Sequence, residues 1–200
     1  MSEMTDLCAE VNVCQKWGLG RLRLKAVPGD GPEKISIMFI GEAPGWHENQ
    51  QGKPFVGPAG QFLDELLASI SLKRADVYIT NVVKCRPPEN RDPLPEEISA
   101  CAAYLDRQIA ILKPKVIVTL GRYSMAKFVF TESISRIHGR PFKREGVIVF
   151  PMYHPAAALH QPSLRQSLID DMKKLPAILA DIEQEEEKEP EAPPQQLSLF

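Results

Sequence analysis

Four short apolar runs, separated by helical patterns, constrain the fold more than any other feature of the chain. The runs are ISIMFIG (35–41), VYITNVV (77–83), KVIVTLG (115–121) and VIVFPMYH (147–154). They are rich in β-branched residues and do not alternate between apolar and polar positions, which is typical of parallel strands buried on both faces. The helical patterns span residues 59–70, 95–112, 122–130 and 163–182. The sequence therefore predicts an α/β fold, a three-layer α/β/α sandwich around a mainly parallel, four-stranded sheet.

The composition excludes several classes of protein. With 200 residues, 44% hydrophobic and 25% charged, the chain is long and apolar enough to bury a core. No apolar run approaches the roughly 20 residues that span a membrane, and the N-terminus lacks the apolar segment of a secretory signal. We therefore expect a cytoplasmic protein, in which four cysteines favour metal or thiol chemistry over disulfides.

The charge is distributed unevenly and divides the chain into three parts. The net charge is −2, and residues 183–200 alone contribute −5, which leaves about +3 for residues 1–182. A mildly basic body of this kind tolerates an anionic partner such as DNA. Residues 183–194 are acidic and proline-rich, which predicts a disordered linker between the domain at 1–182 and the last six residues, 195–200.

A glycine-rich stretch follows the first predicted strand. Residues 41–60 read GEAPGWHENQQGKPFVGPAG and contain five glycines and three prolines, too many for a long helix or strand. Parallel sheets bind ligands at the carboxyl ends of their strands. Thr80-Asn81 and Tyr153-His154-Pro155 also lie at or near strand ends. The sequence therefore predicts that these motifs meet at one edge of the sheet.

The side chains of these motifs suit a pocket for a planar base. Phe55 could stack on the base, and the amide of Asn81 has both donors and an acceptor to read its edge. His154 and the backbone N–H groups of the glycine-rich turn could stabilise developing negative charge, while Glu42 and Glu48 could position water. Each residue taken alone also has a purely structural interpretation. Together they are the parts of a pocket for a flipped-out base.

Several motifs in this order resemble family 4 uracil-DNA glycosylases, the iron–sulfur branch of their superfamily. The motifs are GEAPG, HENQQGKPFVGPAG, TNVVKCRPP and YHPAAAL, and the resemblance runs from about residue 14 to residue 159. It implies hydrolysis of the N-glycosidic bond of deoxyuridine in DNA, which starts base excision repair. It also implies that Phe55 stacks on uracil, that Asn81 binds its Watson–Crick edge and that His154 faces its O2 oxygen.

The resemblance assigns further residues to the site. Gly41 and Ala43, within GEAPG, would contact the substrate. Glu42 and Glu48 both match family carboxylates, and the sequence leaves open which of them positions or activates water. Leu159 is the candidate for an apolar wedge that fills the gap left by the flipped nucleotide.

The cysteines match the family only in part. The spacing of Cys85 and Cys101 agrees with it, but relatives carry a CxxC pair near the N-terminus, where this chain has Cys14 and then Trp17. Cys8, six positions before Cys14, is the candidate for the missing thiolate. Four thiolates suit a structural 4Fe-4S cluster. A three-ligand, labile or absent cluster and a zinc ion remain as alternatives.

The segment ISRIHGR (134–140) offers a DNA contact and an alternative chemistry. Arg136 and Arg140 are expected near DNA phosphates. Arg136-Ile137-His138 resembles a sequence in family X, whose histidine captures the sugar covalently. The leading interpretation is a hydrolytic glycosylase. The alternatives are a family X-like covalent uracil-DNA-binding protein using His138 and a non-catalytic iron–sulfur DNA-binding module.

The C-terminal QLSLF resembles the short peptide that docks into the bacterial DNA polymerase sliding clamp. A disordered tether followed by a small hydrophobic anchor suits binding to a groove. The alternative is that these apolar residues fold back onto the body. With the clamp as partner, we expect a monomer in the bacterial cytoplasm, associated with the nucleoid.

Overall fold

One five-stranded sheet forms the centre of the structure, a computed structural model that describes residues 2–16, 18–129 and 132–188. Its strands are β1 (Ile37–Gly41), β2 (Tyr78–Asn81), β3 (Val116–Leu120), β4 (Phe142–Arg144) and β5 (Val147–Met152). Across the sheet the order is β2-β1-β3-β5-β4, and every neighbouring pair is parallel except β4 and β5. The predicted α/β fold is confirmed, but the predicted count of four strands is one too few.

The strand that the sequence analysis missed is β4, at one edge of the sheet. It forms a hairpin with β5 through Glu145 and Gly146, whose φ angles of 47° and 82° are both positive. Two successive positive φ angles are the signature of the tight turns that join antiparallel strands. Because β4 has only three residues and two of them are exposed and charged, it lacks the apolar pattern of the central strands.

Ten helices flank the sheet within the described residues. They are α1 (Glu3–Val13), α2 (Gly18–Leu22), α3 (Trp46–Gln51), α4 (Pro58–Ser69), α5 (Pro95–Leu112), α6 (Arg122–Ala126), α7 (Ile134–Ile137), α8 (Pro155–His160), α9 (Ser163–Met172) and α10 (Leu175–Lys188). Short 3₁₀ turns occupy Arg74–Asp76 and Pro88–Asn90. In this part of the chain, no helix combines the length and the apolar character needed to cross a membrane.

The helix predicted at 163–182 is two helices, α9 and α10. Pro176 is the second residue of α10, and proline fits a first turn but disrupts a helix interior. Helix α10 runs to Lys188, so residues 183–188 are helical, whereas the sequence predicts disorder from residue 183. Glu186 of this segment pairs with Lys115 at 2.5 Å. The rest of the predicted linker and the predicted clamp peptide at 195–200 lie outside the described residues.

Two hydrophobic cores lie on opposite faces of the sheet. Phe39 and Phe150 face α4, α8, α9 and α10, whereas Met38 and Ile117 face α1, α2 and α5. Successive strand residues point to opposite faces, so β1 contributes to both cores. The strand order reverses between β1 and β3, and ligands bind beside the carboxyl ends of strands at such a switch point. The predicted site motifs follow these strand ends.

Candidate active site

Four of the predicted site residues meet at the carboxyl edge of the sheet. Gly41 ends β1 and is the register partner of Asn81 at the end of β2. A Cβ atom on Gly41 would lie 2.3 Å from Asn81 Oδ1 and 2.7 Å from Phe55 Cζ, so only glycine fits between them. The rings of Phe55 and His154 stack with their centroids 5.5 Å apart. The predicted convergence of these motifs is therefore present in the structure.

Phe55 is held in an unusual backbone conformation. Its φ of 53° is in the left-handed region, which is rare for a bulky residue and is maintained only where the surroundings enforce it. Arg74 donates to the carbonyl oxygens of Pro54, at 3.0 Å, and of Phe55. Gly60 allows helix α4 to approach, because a Cβ there would lie 1.8 Å from Phe55 O. The ring is only 5% exposed and packs into the core, although its backbone belongs to a loop.

Asn81 presents a buried acceptor that has no partner. The residue is 1% exposed, and among the described residues nothing donates a hydrogen bond to its Oδ1. An unpaired buried polar atom lowers stability and is rare in folded proteins. This oxygen is therefore available for a donor on a bound ligand, beside the ring of Phe55.

His154 is held as a neutral imidazole of defined tautomer. Its Nδ1 accepts a hydrogen bond from the N–H of Ala156 at 3.1 Å, at the start of α8, so the ring proton lies on Nε2. Desolvation lowers the pKa of His154 to about 4, against a smaller, opposite effect of the Glu48 charge. The side chain is thus an uncharged hydrogen-bond donor at neutral pH.

Glu42 follows Gly41 and is half-buried. Desolvation raises its pKa to about 7, the negative charge of Asp92 adds to this effect, and Arg122 opposes it. Asp92 and Arg122 form an ion pair at the surface. Among the described residues, no hydrogen bond engages the Glu42 carboxylate. The group can therefore gain or lose a proton near neutral pH and has free capacity for water.

Glu48 holds the glycine-rich loop together. Its Oε1 accepts from the N–H groups of Val56, at 2.9 Å, and Gly57, at 3.0 Å, and its Oε2 accepts from that of Gly45 at 3.1 Å. The carboxylate thus joins the two ends of the segment that carries α3. Both oxygens of Glu48 are thus engaged by backbone N–H groups, whereas no hydrogen bond among the described residues engages the Glu42 carboxylate.

Known proteins are similar in sequence to this chain over most of its length. The family model of the uracil DNA glycosylase superfamily matches residues 28–177. The type-4 uracil-DNA glycosylase of Archaeoglobus fulgidus is 48% identical over 185 residues, which cover 88% of this chain and 92% of the relative. The chain belongs to the uracil-DNA glycosylase superfamily.

Two further type-4 members of the superfamily are similar to this one. The type-4 uracil-DNA glycosylase of Sulfurisphaera tokodaii is 50% identical over 186 residues, covering 88% of this chain and 84% of the relative. That of Thermotoga maritima is 41% identical over 183 residues, covering 88% and 95%. The similarity therefore extends over nearly the whole of each protein and places the chain in the type-4 branch.

Three of the four predicted DNA-contacting residues are exposed, and His138 is partly buried. Leu159, on α8, is an exposed large apolar residue with 46% of its surface accessible, five residues after His154. Arg136 and Arg140 are exposed on either side of His138. Ala43 is half-buried and packs against the core that faces α5.

His138 contacts Tyr153, the residue directly before His154. Its Nδ1 lies 2.6 Å from a carboxylate oxygen of Asp171, which is 2% exposed and also pairs with Lys174 at 2.8 Å. The His138 ring packs against the ring of Tyr153, with centroids 4.5 Å apart, directly before His154 in the chain. Asp171 therefore fixes the orientation of His138 relative to Tyr153.

Three of the four cysteines border one cavity in this superfamily member. Cys14, Cys85 and Cys101 line it, and Arg23 Nη1 donates to Cys85 Sγ at 2.9 Å. Cys8 is not among the lining residues; it faces the hydroxyl of Tyr78. Burial raises the pKa of the Cys85 and Cys101 thiols. Within residues 2–16, 18–129 and 132–188, no three His, Cys, Asp or Glu side chains are arranged around a common metal position.

Sequence reasoning missed several residues that organise the site. Arg74, which holds the Phe55 backbone, and Asp92 with Arg122, which act on Glu42, are charged residues in segments without a motif. Lys84 lies inside the motif TNVVKCRPP, and its burial was not predicted. A positively charged residue between apolar residues and a cysteine was the one available signal.

Proposed function

We propose that this chain is a uracil-DNA glycosylase that hydrolyses the N-glycosidic bond of deoxyuridine in DNA. The type-4 relatives carry that name. The observation that carries the proposal is the buried, unpaired Oδ1 of Asn81 beside the Phe55 ring. Uracil offers an N–H donor at N3 and an acceptor at O4, which match the oxygen and the NH₂ group of one amide. Phe55 would supply the stacking surface for the base.

His154 would stabilise the leaving group. Negative charge accumulates on O2 of uracil as the glycosidic bond breaks, and a donor aimed at that oxygen lowers the barrier. The Nε2–H of His154 is such a donor, because Nδ1 is already engaged by Ala156. A neutral imidazole strengthens its hydrogen bond as the charge grows and needs no protonation before the reaction.

Glu42 would position the attacking water. Its carboxylate follows the strand that ends at Gly41, and it titrates near neutral pH because it is desolvated and lies near Asp92. As a carboxylate it can orient water and stabilise the positive charge that develops on the sugar. Glu48 would act indirectly, by keeping Gly45 and Gly57 in place.

The DNA would lie across the edge that carries α8 and the segment 134–140. Leu159 is exposed where an apolar wedge could enter the base stack. Arg136 and Arg140 are exposed cations suited to phosphate oxygens. His138 lies between them and would contact the same strand.

A single experiment tests the proposed activity. The protein is incubated with an oligonucleotide that contains one uracil, and alkali then cleaves the DNA at any abasic site. We expect cleavage at uracil, none in a matched oligonucleotide with cytosine at that position, and strong loss of cleavage in Asn81→Ala. A folded, iron-loaded preparation that leaves uracil-DNA intact would refute the proposal.

We further propose that Cys14, Cys85 and Cys101 bind a 4Fe-4S cluster. Three thiols that border one cavity form a soft donor set, which suits iron–sulfur or zinc over hard cations. Among the described residues they do not surround a single metal position, but each thiolate of a 4Fe-4S cluster would bind a different iron, so a common position is not required. When bound, the cluster would act as a structural crosslink between the N-terminal segment and α5. Cys8, the fourth ligand that the sequence predicts, faces Tyr78 and does not line the cavity, so we leave it out of the proposed ligand set.

Cysteine variants test this ligand set. We expect Cys14→Ser, Cys85→Ser and Cys101→Ser to lose iron and the broad violet absorbance of the cluster after anaerobic purification. Cys8→Ser should retain both, and equal loss in that variant would restore Cys8 as a ligand. Zinc in place of iron in the unmodified protein would contradict the cluster.

A second candidate chemistry, covalent capture by His138, has one observation in its favour. The contact of Nδ1 with Asp171 places the lone pair of a neutral His138 on Nε2, which is the arrangement of an activated nucleophile. A denaturation-resistant protein–DNA adduct that disappears in His138→Ala would support capture. Turnover of uracil-DNA without such an adduct would leave hydrolysis as the reaction.

The C-terminal QLSLF is proposed to bind the bacterial sliding clamp, and the protein to act as a cytoplasmic monomer. Two leucines and a terminal phenylalanine after an acidic, proline-rich segment support the clamp proposal. Deleting residues 195–200 should abolish clamp binding and leave excision from short oligonucleotides intact. Retained binding would contradict it.

A further inference from the structure

A buried lysine lies directly behind the residue that reads the base. Lys84 follows β2 and is 1% exposed. Its ammonium group donates to Thr80 Oγ1 at 2.6 Å, to the backbone carbonyl oxygen of Asn81 at 2.7 Å and to Gln108 Oε1 at 2.6 Å. A lysine has three donors and no acceptor, so all of its hydrogen-bonding capacity is used. Buried charges persist only with such compensation.

The partners of Lys84 connect three segments of the chain. Gln108 is fully buried on α5 and donates to the carbonyl oxygen of Pro28 at 2.8 Å. The hydroxyl of Thr80 donates to the same carbonyl at 2.8 Å. The ammonium group thus lies at the centre of a network that joins α5, the irregular segment at Pro28 and the end of β2. A fully satisfied buried network of this kind rigidifies the segments it joins.

The orientation of the Asn81 amide depends on this network, because no hydrogen bond from the described residues holds its side-chain oxygen. This oxygen, Oδ1, lies so close to Gly41 that a Cβ atom there would be 2.3 Å away. The amide is therefore oriented by the Asn81 backbone, and Lys84 holds the carbonyl group of that backbone. A misplacement of about 1 Å in a group that positions a substrate is enough to lower a reaction rate about a hundredfold.

We propose that Lys84 is a positioning residue for base recognition, acting through Asn81. This inference rests on the proposed function, in which Asn81 binds the edge of uracil. It assigns to Lys84 a role separate from that of the neighbouring Cys85. Removal of the ammonium group would free the Asn81 carbonyl, loosen the amide and weaken the capture of uracil without altering the surface that contacts DNA.

A double-mutant cycle between Lys84 and Asn81 tests the proposal. Single-turnover excision of uracil is measured in the full-length protein and in Lys84→Met, Asn81→Ala and the double variant. We expect Lys84→Met to lower the rate by about ten- to a hundredfold alone and by less than about twofold in the Asn81→Ala background, because two residues that act as a unit are non-additive. The same fold-loss in both backgrounds would overturn the proposal.

Two further measurements separate positioning from general loss of structure. Inhibition by free uracil should weaken in Lys84→Met, whereas the affinity for undamaged DNA of the same length should not change. The matched control is Lys34→Met, which replaces an exposed lysine before the amino end of β1. This variant should have the uracil inhibition and the DNA affinity of the unmodified protein. If Lys84→Met does not fold, Lys84→Gln, which keeps a shorter donor, is carried through the same cycle. Undiminished uracil inhibition in the folded variant would also refute the role.

Failure of the proposed function can be distinguished from failure of the role proposed for Lys84. An unmodified protein that does not excise uracil contradicts the proposed function itself. An active unmodified protein whose Lys84 variants behave additively with Asn81→Ala contradicts only the role of Lys84.

Discussion

The imidazole of His154 stacks on the ring of Phe55, with centroids 5.5 Å apart and planes inclined by 26°. The two residues are nearly a hundred positions apart in the chain, one in a loop after β1 and the other after β5. Their contact joins the proposed stacking surface to the proposed donor for O2. A change at either ring is therefore expected to affect excision through the other.

The first prediction concerns the aromatic face of Phe55. Phe55→Leu keeps an apolar side chain in the core but removes the stacking surface for a base. We expect it to lower the free energy of unfolding by less than the roughly 3–5 kcal/mol of a Phe→Ala change and to lower uracil excision by about tenfold or more. Phe150→Leu, in the same core, is the matched control. An equal loss of activity in the control would show that packing alone explains the effect.

The second prediction concerns the pH dependence that Glu42 imposes. If the carboxylate form positions water, the rate should rise as the pH increases through the Glu42 pKa of about 7. Asp92→Asn removes a negative charge that raises this pKa, so the rise should move to lower pH. Arg122→Gln removes the opposing positive charge and should move it to higher pH.

Rate profiles between pH 5 and 9 measure these shifts. Asp106→Asn, which removes an exposed carboxylate paired with Lys127, is the control and should leave the profile unchanged. A profile that does not move in either variant near Glu42 would remove Glu42 from the role of water-positioning residue.

The third prediction concerns the protonation state of His154. Because desolvation lowers its pKa to about 4, the imidazole should not titrate between pH 5 and 9. Nitrogen NMR of the imidazole should show the proton on Nε2 throughout that range. His154→Ala should lower the excision rate about a hundredfold or more, with little effect on DNA affinity. A doubly protonated ring at pH 6 would contradict the neutral donor.

The fourth prediction concerns the stability of the loop that Glu48 holds. Glu48→Ala leaves three backbone N–H groups without their acceptor, and hydrogen bonds to a charged group contribute about 1.5–3 kcal/mol each. We expect urea unfolding to report a loss of about 3 kcal/mol or more. Glu65→Ala, which removes an exposed pair with Arg165, should cost at most about 1 kcal/mol. Equal losses would mean that the loop does not depend on Glu48.

Much of the sheet could be predicted from the sequence, because strands buried on both faces have long apolar runs. The carboxyl ends of those strands carry Gly41, Asn81 and His154, so the meeting of the motifs followed from parallel topology. Strand β4 could not be predicted in this way, since its pairing depends on the turn at Glu145 and Gly146 and its residues are mostly exposed.

The residues that hold the site in place could not be predicted from the sequence, for a different reason. The proposed site residues occur in motifs, whereas Arg74 and Lys84 are distinguished only by their surroundings in three dimensions. The sequence alone does not show whether a lysine is exposed to solvent or, like Lys84, buried with three hydrogen-bond acceptors. The hydrogen-bonding environments of Glu42 and Glu48 also could not be distinguished from the sequence, since the three N–H groups that engage Glu48 come from both ends of the loop.

The bonds of Glu48 to Gly45, Val56 and Gly57 have a consequence for the entropy of binding. Because these bonds exist within the folded chain, the loop reaches its working shape before any DNA arrives. The entropy cost of ordering this loop is met during folding, so it does not reduce the free energy of binding to a damaged nucleotide. The interaction energy of an extruded base can then be directed towards breaking the bond to its sugar.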